Sequence, residues 1–195
     1  MKIGLFGGSF DPVHSGHLLV AQAAREELQL TRIYFIPAAQ SPFKSGSLPA
    51  PAAVRLRLLR LALAGDTAAE VDDQEIRRGG VSYTIDTVRQ YRTRFPEAEL
   101  FYLIGADQTG QLSLWREAEE LARLVEFVII PRPDETVAPL KPPLRGRVLR
   151  GFHCGISSSD IRARCRAGLS IANLTPSAVA GAIINNQLYL PANMG

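Results

Sequence analysis

The sequence predicts an α/β fold, a single doubly wound (Rossmann-like) parallel sheet with flanking helices and a C-terminal helical appendage. Short apolar runs alternate with amphipathic stretches along all 195 residues. The first run, the first amphipathic stretch and the second run fit within about 36 residues, the length of a βαβ unit, which requires parallel strands. No segment of disordered composition and no internal repeat interrupts the alternation, so residues 1–195 are expected to form a single domain.

Strands are expected where apolar, β-branched or aromatic residues form a short run, at 2–6, 31–36, 69–71, 99–104, 125–130 and 147–149. Helices are expected where apolar residues recur at helical spacing, at 15–28, 53–64, 84–95, 114–121, 158–166 and 176–185. The proline-rich stretches 38–51 and 133–143 are expected to be loops. In the last helix, Pro176 should occupy the first turn and Thr175 should be the cap.

The composition is that of an ordinary globular chain, with 46% hydrophobic and 21% charged residues. No apolar run approaches the roughly 20 residues of a membrane span, and the first residues read as a strand rather than a signal peptide. Two cysteines, Cys154 and Cys165, are too few for a disulfide scaffold. This cysteine usage favours a reducing, cytoplasmic setting.

The formal net charge of +3 and the isoelectric point of about 9.1 favour an anionic partner. The basic residues occur singly beside Gly, Ser and Pro, which suits a small phosphorylated ligand better than a long polyanion. No basic stretch interleaved with aromatic residues is present, so the sequence does not predict nucleic-acid binding.

The segment after the first strand reads GGSFDPVHSGH at residues 7–17. Gly7 and Gly8 let the backbone approach a ligand closely, and the helix that follows directs its free N–H groups and positive dipole end to the same place. His14 and His17 are three residues apart, so both rings can lie on one side of the helix start. Because ligands of doubly wound sheets bind beyond the carboxyl ends of the strands, this turn is the first candidate phosphate site.

Two other interpretations of these histidines are open. Each could be an ordinary loop or surface histidine, although their joint position directly after the first strand argues against that reading. The H-x-x-H spacing could also belong to a zinc site, which needs a third ligand. His153 and Cys154 are the only other candidates, and nothing in the spacing supports them.

A second candidate anion site is the segment ISSSDIR at residues 156–162. Ser157, Ser158 and Ser159 precede a predicted helix, so their hydroxyl and N–H groups can form a second anion-binding helix start. Arg162 follows near the first turn and carries a guanidinium fork suited to bidentate phosphate contacts. The simpler alternative is a serine N-cap followed by a solvated arginine.

The two segments resemble the paired signatures of the nucleotidylyltransferase superfamily, G-x-F-D-P-x-H-x-G-H and I-S-S-T-x-I-R, with serine instead of threonine at 159. The middle of the chain is similar to bacterial nicotinate-nucleotide adenylyltransferases. The similar segments are S-Y-T at 82–84, G-A-D at 105–107 followed by Trp115, the loop 36–44 and the tail 174–189. The resemblance covers nearly the whole chain and departs at Phe43, where that family usually has histidine.

The resemblance implies adenylyl transfer from ATP to nicotinate mononucleotide, giving deamido-NAD and pyrophosphate in NAD biosynthesis. Catalytic roles at the phosphates of ATP fall to His14, His17 and Arg162, with Mg²⁺ held by the phosphates and water rather than by side chains. The other expected ATP contacts are Gly7, Gly8, Ser9, Phe10, Gly105, Asp107, Arg132, Ser157 and Ser158. The expected contacts of nicotinate mononucleotide are Lys44, Tyr83, Thr84, Trp115 and Arg116. No nucleic acid or membrane is expected as a partner, and a homo-oligomer is left open.

Two rival functions remain. Another small-molecule nucleotidylyltransferase, of the phosphopantetheine adenylyltransferase or cytidylyltransferase type, would share both phosphate signatures. It should lack S-Y-T and the segment from G-A-D to Trp115. A non-catalytic nucleotide-binding regulator on the same fold would be expected to lack one of the histidines or Arg162, and all three are present.

Overall fold

The apolar runs form a parallel sheet, which has six strands in the part of the chain that the structure describes. In the computed structural model the described residues are 1–42, 49–131, 137, 139–151 and 154–190. The strands are β1 (Lys2–Gly8), β2 (Arg32–Pro37), β3 (Ala69–Val71), β4 (Glu99–Gly105), β5 (Glu126–Ile130) and β6 (Gly146–Val148). They run in the order β3-β2-β1-β4-β5-β6, and every pairing is parallel. This is a doubly wound Rossmann order, whose winding reverses between β1 and β4.

Helices occupy most of the connections. They are α1 (Ser15–Leu28), α2 (Ala52–Ala62), α3 (Gln74–Arg78), α4 (Thr84–Arg94), α5 (Ala118–Leu124), α6 (Ser158–Arg166) and α7 (Ser177–Asn185), with a 3₁₀ helix over Ala106–Leu114. The bounds of α1 and α6 are those predicted from the sequence, and most other elements differ by one or two residues at an end. Among the described helices, none is both long and apolar enough to cross a membrane.

The structure departs from the local predictions in three places. The helix expected at 114–121 begins only at Ala118, as α5, and the 3₁₀ helix Ala106–Leu114 before it was not expected. The helix α3 was not expected, because five residues are too few to show a helical period. Pro176 rather than Thr175 flanks the start of α7, and the buried Thr175 hydroxyl has no hydrogen-bond partner in the described part of the chain.

The sheet separates two apolar layers, because neighbouring side chains of a strand point to opposite faces. On one face Phe6, Phe35 and Leu103 pack with α1, α2, α6 and α7. On the other face Leu5 and Tyr102 pack with α4 and α5. The C-terminal helices therefore share the layer of α1, and this packing brings the start of α6 close to the carboxyl end of β1.

Candidate active site

A cleft of about 940 Å³ opens at the carboxyl ends of β1 and β4, where the winding of the sheet reverses. Both segments singled out in the sequence reach it, one from the β1–α1 turn and the other from the start of α6. The predicted site residues that line it are Gly7, Gly8, Ser9, Phe10, His14, His17, Gly105, Asp107, Ser157, Ser158 and Arg162. The fold thus brings residues from both ends of the chain to one site.

His14 and His17 lie together at the start of α1, on the same side, as their spacing predicts. Their rings are stacked, with centroids 3.7 Å apart and planes inclined by 30°. The backbone N–H of His14 donates to Nδ1 of His17 at 3.2 Å. In a neutral imidazole one nitrogen accepts while the other carries the proton, so this bond leaves the proton of His17 on Nε2. His17 therefore brings an N–H donor to the cleft that its side chain lines.

Burial keeps the ring of His14 neutral. The residue is 6% exposed, and burial lowers the pKa of its imidazole to about 4, while the carboxylate of Asp160 acts in the opposite direction. Its Nδ1 is buried without a hydrogen-bond partner among the described residues. Gly16 permits this packing, because a methyl group at that position would lie 3.0 Å from Nδ1.

Phe10 and the two glycines of the turn shape the floor of the cleft. Phe10 is buried, and its ring meets that of His17 edge-on with centroids 5.0 Å apart. The Phe10 ring thus supports His17, and a ligand in the cleft would contact Phe10 through its backbone atoms. A methyl group at Gly8 would lie 3.1 Å from the Phe10 ring, and one at Gly7 would overlap the hydroxyl of Tyr102. Close packing therefore excludes a side chain at Gly7, whereas one at Gly8 would press on the Phe10 ring.

The start of α1 is tied to the C-terminal part of the chain. The N–H of Ser15 donates to the carbonyl oxygen of Leu174 at 2.9 Å, and its hydroxyl donates to that of Asn173 at 3.2 Å. One of the N–H groups that helix geometry leaves without an acceptor is thus used within the protein. The N–H groups of His14 and His17 also have acceptors, Nδ1 of His17 and the carbonyl oxygen of His14. The contribution of this helix start to an anion therefore falls to the N–H of Gly16 and to the histidine rings.

Ser157 caps α6. Its hydroxyl accepts from the N–H of Asp160 at 3.1 Å and donates to the carboxylate of Asp160 at 2.6 Å. The hydroxyl of Ser158 donates to the carbonyl oxygen of Pro12 at 2.8 Å. The serine-cap alternative is therefore correct for Ser157. What α6 offers to an anion is the backbone N–H groups of Ser158 and Ser159, which have no acceptor within the helix.

Arg162 joins the two signature segments. Its Nη1 donates to the carbonyl oxygen of Asp11 at 2.7 Å, and its Nη2 donates to Oγ of Ser159 at 3.2 Å. The side chain is 27% exposed, so it is not the solvated arginine of the simpler alternative. This contact and the bond between Ser158 and Pro12 connect residues 151 and 146 positions apart in the sequence.

β4 contributes Gly105 and Asp107 to the wall of the cleft. A methyl group at Gly105 would overlap the carboxylate of Asp107, which lies over the end of the strand. An exposed carboxylate here can accept hydrogen bonds from a nucleotide or contribute an oxygen to a hard cation. The described residues hold no group of three or more His, Cys, Asp or Glu that could bind a metal ion. His153, considered for the zinc alternative, lies outside the described residues.

Four residues predicted for the mononucleotide are described by the structure, Tyr83, Thr84, Trp115 and Arg116, and they form a second group outside the lining of the cleft. Oγ1 of Thr84 lies 3.4 Å from the hydroxyl of Tyr102, and half-buried Trp115 meets the Tyr102 ring edge-on at 6.3 Å. The guanidinium of Arg116 lies 4.9 Å from the centre of the Tyr83 ring. Tyr102, whose hydroxyl also lies against the end of β1, connects this group to the cleft.

Two predicted contacts, Lys44 and Arg132, lie outside the described residues. Conversely, Arg55 and Tyr189 were given no role from the sequence, and Cys154 was considered only for the zinc alternative. Arg55 and Cys154 line the cleft, and Tyr189 bonds to Asp11, which also lines it. Arg55 had a detectable signal, because it lies on the apolar face of a helix whose pattern is VRLRLLRLA. A basic residue on such a face indicates a buried polar partner.

A doubly wound sheet, with two helix starts and a histidine pair around one cleft at the reversal of its winding, defines a nucleotide-binding α/β protein. The cytidylyltransferase-like family model matches residues 5–164. A protein of Opitutus terrae named "probable nicotinate-nucleotide adenylyltransferase" is 43% identical over 197 residues, covering 98% of this chain and 100% of that one. A protein of the same name from Thermus thermophilus is 42% identical over 194 residues, with coverage of 97% and 100%. The chain belongs to the cytidylyltransferase-like family and, within it, to the nicotinate-nucleotide adenylyltransferases.

Solved structures share the fold. The nicotinic acid mononucleotide adenylyltransferase of Plasmodium falciparum complexed with NaAD has a TM-score of 0.76 at 19% identity, covering 96% of this chain and 97% of that one. Its complex with APC has a TM-score of 0.77 at 18% identity, with 96% of each chain covered. At these identities the likeness shows the fold, and the family assignment rests on the sequence relatives.

Proposed function

We propose that the chain transfers the adenylyl group of ATP to nicotinate mononucleotide, forming deamido-NAD (nicotinate adenine dinucleotide) and pyrophosphate in NAD biosynthesis. The observation that carries the proposal is the junction of the two signature segments at one cleft. There Ser158 and Arg162 bond to the backbone carbonyls of Pro12 and Asp11. The junction groups the donors of both segments around a single space, and membership of the family supports the same reaction.

In this reaction a phosphate oxygen of the mononucleotide attacks the α-phosphorus of ATP. One P–O bond forms, and the bond to the leaving pyrophosphate breaks. The attacking oxygen is already ionised, so no general base is needed. The barrier arises from bringing two polyanions into line and from the charge on the transferring and leaving oxygens. Fixed N–H donors lower this barrier, because they need no reorganisation during the reaction.

We assign His17 to the α-phosphate, since its bond from the His14 backbone leaves the proton on Nε2. His14 is assigned to the same phosphate. An anion bound beside its buried ring would favour the protonated form and so raise its pKa from about 4. Arg162, with the backbone N–H of Ser158 and the cap formed by Ser157, is assigned to the β- and γ-phosphates.

The remaining ATP contacts are assigned around the same cleft. The backbone from Gly7 to Phe10 approaches the nucleotide, Gly105 and Asp107 contact it from β4, and Arg132 is assigned to adenine. Mg²⁺ would be held by the phosphates and water, and the exposed carboxylate of Asp107 is an oxygen donor that fits such an ion. When bound, the ion neutralises charge on the phosphates.

The mononucleotide is assigned to the second group, with Lys44 at its phosphate, Trp115 beside the pyridine ring and Tyr83 with Arg116 bordering it. Thr84 and the backbone at residues 115–116 supply donors. Asp86 and Glu117 are the carboxylates closest to them in the sequence, and Glu117 is paired with arginines. Donors satisfy the carboxylate of the nicotinate form. The amide of the nicotinamide form would leave an unmet polar group, at a cost of about 1–3 kcal/mol. We therefore expect at least about a tenfold preference for the nicotinate form in kcat/KM.

One assay tests the proposal. The purified protein is incubated with ATP, Mg²⁺ and either nicotinate mononucleotide, nicotinamide mononucleotide or phosphopantetheine, and pyrophosphate release and product mass are followed. We expect deamido-NAD to form fastest. Turnover of phosphopantetheine, or of CTP in place of ATP, would establish another nucleotidylyltransferase. ATP binding without turnover of any acceptor would establish a nucleotide-binding regulator.

We also propose a cellular location, a domain organisation and a class of partners for the protein. We propose a reducing, cytoplasmic location, which the free thiols of Cys154 and Cys165 support. We further propose one nucleotidylyltransferase domain over residues 1–195 and small-molecule substrates as its partners. A shift in electrophoretic mobility of DNA or RNA at physiological salt would contradict the last point.

A further inference from the structure

The carboxylate of Asp11 is a point where several segments that border the cleft meet. It is 7% exposed, and its Oδ1 accepts from the hydroxyl of Tyr189 at 2.9 Å and from the N–H of Ala50 at 3.3 Å. Its Oδ2 lies 3.9 Å from Nη1 of Arg162, which donates instead to the Asp11 backbone carbonyl at 2.7 Å. The β1–α1 turn, the chain before α2, α6 and the C-terminal segment are thus connected through one residue.

Arg55 supplies a positive charge beside this junction. It is 2% exposed, and its Nε and Nη1 donate to the carbonyl oxygens of Ala50 at 3.0 Å and Ser9 at 2.9 Å. Burial lowers the pKa of Arg55, and the negative charge of Asp11 raises it. In a turn predicted to bind phosphate the carboxylate of Asp11 would repel the ligand, and the contacts of its two oxygens with Tyr189, Ala50 and Arg162 point to a role within the protein.

We propose that Tyr189, acting through Asp11, is a positioning residue for ATP binding. The inference rests on the proposed function in one respect, the assignment of Arg162 to the phosphates of ATP. The hydroxyl of Tyr189 holds Oδ1 of Asp11 and so keeps Oδ2 at 3.9 Å from the guanidinium, beyond hydrogen-bond distance. Arg162 is oriented by a backbone carbonyl, and its charge stays available to a ligand.

Removal of the Tyr189 hydroxyl changes which groups the Asp11 carboxylate contacts. Asp11 then keeps only the weaker bond from Ala50 among those described for Oδ1, and its carboxylate can rotate toward Arg162. The carboxylate–guanidinium pair that forms would compete with the phosphates of ATP for the same N–H groups. Burial, followed by the charge of Asp11, raises the pKa of Tyr189, so its phenol remains a donor throughout the neutral range.

Tyr91 provides a matched control. Its hydroxyl also donates to a carboxylate, that of Asp72, at 2.6 Å, and it lies in the other apolar layer. We expect Tyr189→Phe to weaken binding of a non-hydrolysable ATP analogue, and to raise KM for ATP, by roughly tenfold, the size of one charge-assisted hydrogen bond. The KM for nicotinate mononucleotide should change by less than about twofold. Tyr91→Phe should leave ATP binding and both KM values unchanged.

The double variant with Asp11→Asn separates positioning from stability. Asparagine cannot form an ion pair with Arg162, so Tyr189→Phe should have little further effect on ATP binding in the Asp11→Asn protein. A tenfold loss that persists in that background would overturn the proposal, as would equal effects of Tyr189→Phe and Tyr91→Phe. If the double variant does not fold, the comparison of the two phenylalanine variants decides. If the wild-type protein binds the ATP analogue but transfers no adenylyl group, the proposed function is wrong. The effect of Tyr189→Phe on analogue binding still tests this inference in that case.

Discussion

The rings of His14 and His17 are in stacked contact, with 3.7 Å between their centroids. Two charged imidazoles at this distance would repel each other, and burial already lowers the pKa of His14 to about 4. Near neutral pH His14 is therefore uncharged in the free protein, while its backbone N–H holds His17 in one tautomer. The donor on His17 is thus oriented before a ligand arrives, which is the condition for preorganised electrostatic stabilisation.

We expect His17→Ala to reduce kcat by about 10²–10³-fold, because one preorganised donor to the transition state is lost. The fold should remain, since Phe10 keeps its contacts with Phe6 and Phe35. Pyrophosphate release measures the loss, and circular dichroism verifies the fold. His17→Gln, which retains an N–H donor, should recover part of the rate. Near-normal turnover of a folded His17→Ala protein would remove His17 from the mechanism.

The buried His14 should make stability depend on pH. Its pKa of about 4 in the folded protein lies below its ordinary value of 6.5, so the unfolded chain binds more protons between these values. The free energy of unfolding should therefore fall as the pH decreases through this range, by about 3 kcal/mol at pH 4. Urea denaturation of the wild type and of His14→Asn at pH 7.5 and pH 4 measures it. A difference between the two proteins that is the same at both pH values would contradict the prediction.

Cys154 can report occupancy of the cleft. It lines the cleft and is half-buried, and its sulfur lies 3.4 Å from the position a methyl group at Gly16 would take. At an ATP concentration about 100 times its Kd, alkylation by iodoacetamide should slow at least tenfold, because few clefts remain empty. Cys165, which is buried in the core, is the internal control. Mass spectrometry that finds the same Cys154 labelling rate with and without ATP would place the nucleotide elsewhere.

Because Gly7 lies against the hydroxyl of Tyr102, the effects of substitutions at the two positions on the free energy of unfolding should be coupled. Gly7→Ala should destabilise the protein by about 1–3 kcal/mol, because the added methyl group overlaps the buried hydroxyl. Tyr102→Phe removes that hydroxyl at small cost, since its contact with Thr84 is 3.4 Å long. Chemical denaturation of the double variant should show less destabilisation than the sum of the single variants. Strict additivity would mean that the two groups do not meet.

Trp115→Ala should raise KM for the mononucleotide far more than KM for ATP. Its indole ring is nearly perpendicular to the rings of Tyr102 and Phe127, and a flat indole of this kind can stack on the pyridine ring of the mononucleotide. Loss of stacking costs about 1–3 kcal/mol, by analogy with base–aromatic contacts. Steady-state kinetics with each substrate varied in turn gives the two constants. Trp115→Phe should restore most of the affinity, and a rise confined to KM for ATP would identify Trp115 as a nucleotide contact.

Most of the fold could be predicted from local patterns. The β-branched and apolar runs and the uninterrupted helical spacing at Ser15–Leu28 and Ser158–Arg166 give clear signals. The 3₁₀ helix Ala106–Leu114 was not predicted, because its apolar residues Ala106, Leu112 and Leu114 follow no helical period. Its neighbour α5 begins only after Glu117, which adopts a left-handed conformation with φ of 55°. No local sequence pattern predicts that conformation.

The sequence by itself determined the alternation of strands and helices and singled out two segments as candidate anion sites, because both follow from short motifs and local periods. The tertiary structure alone decided that Tyr189 bonds to Asp11, 178 positions away, and that Arg55 lies beneath the same turn. Hydrogen bonds between such distant residues leave no periodic trace in the chain, since they depend on how α2, α6 and α7 pack against the sheet. For the same reason, only the folded chain shows the two signature segments meeting at one cleft.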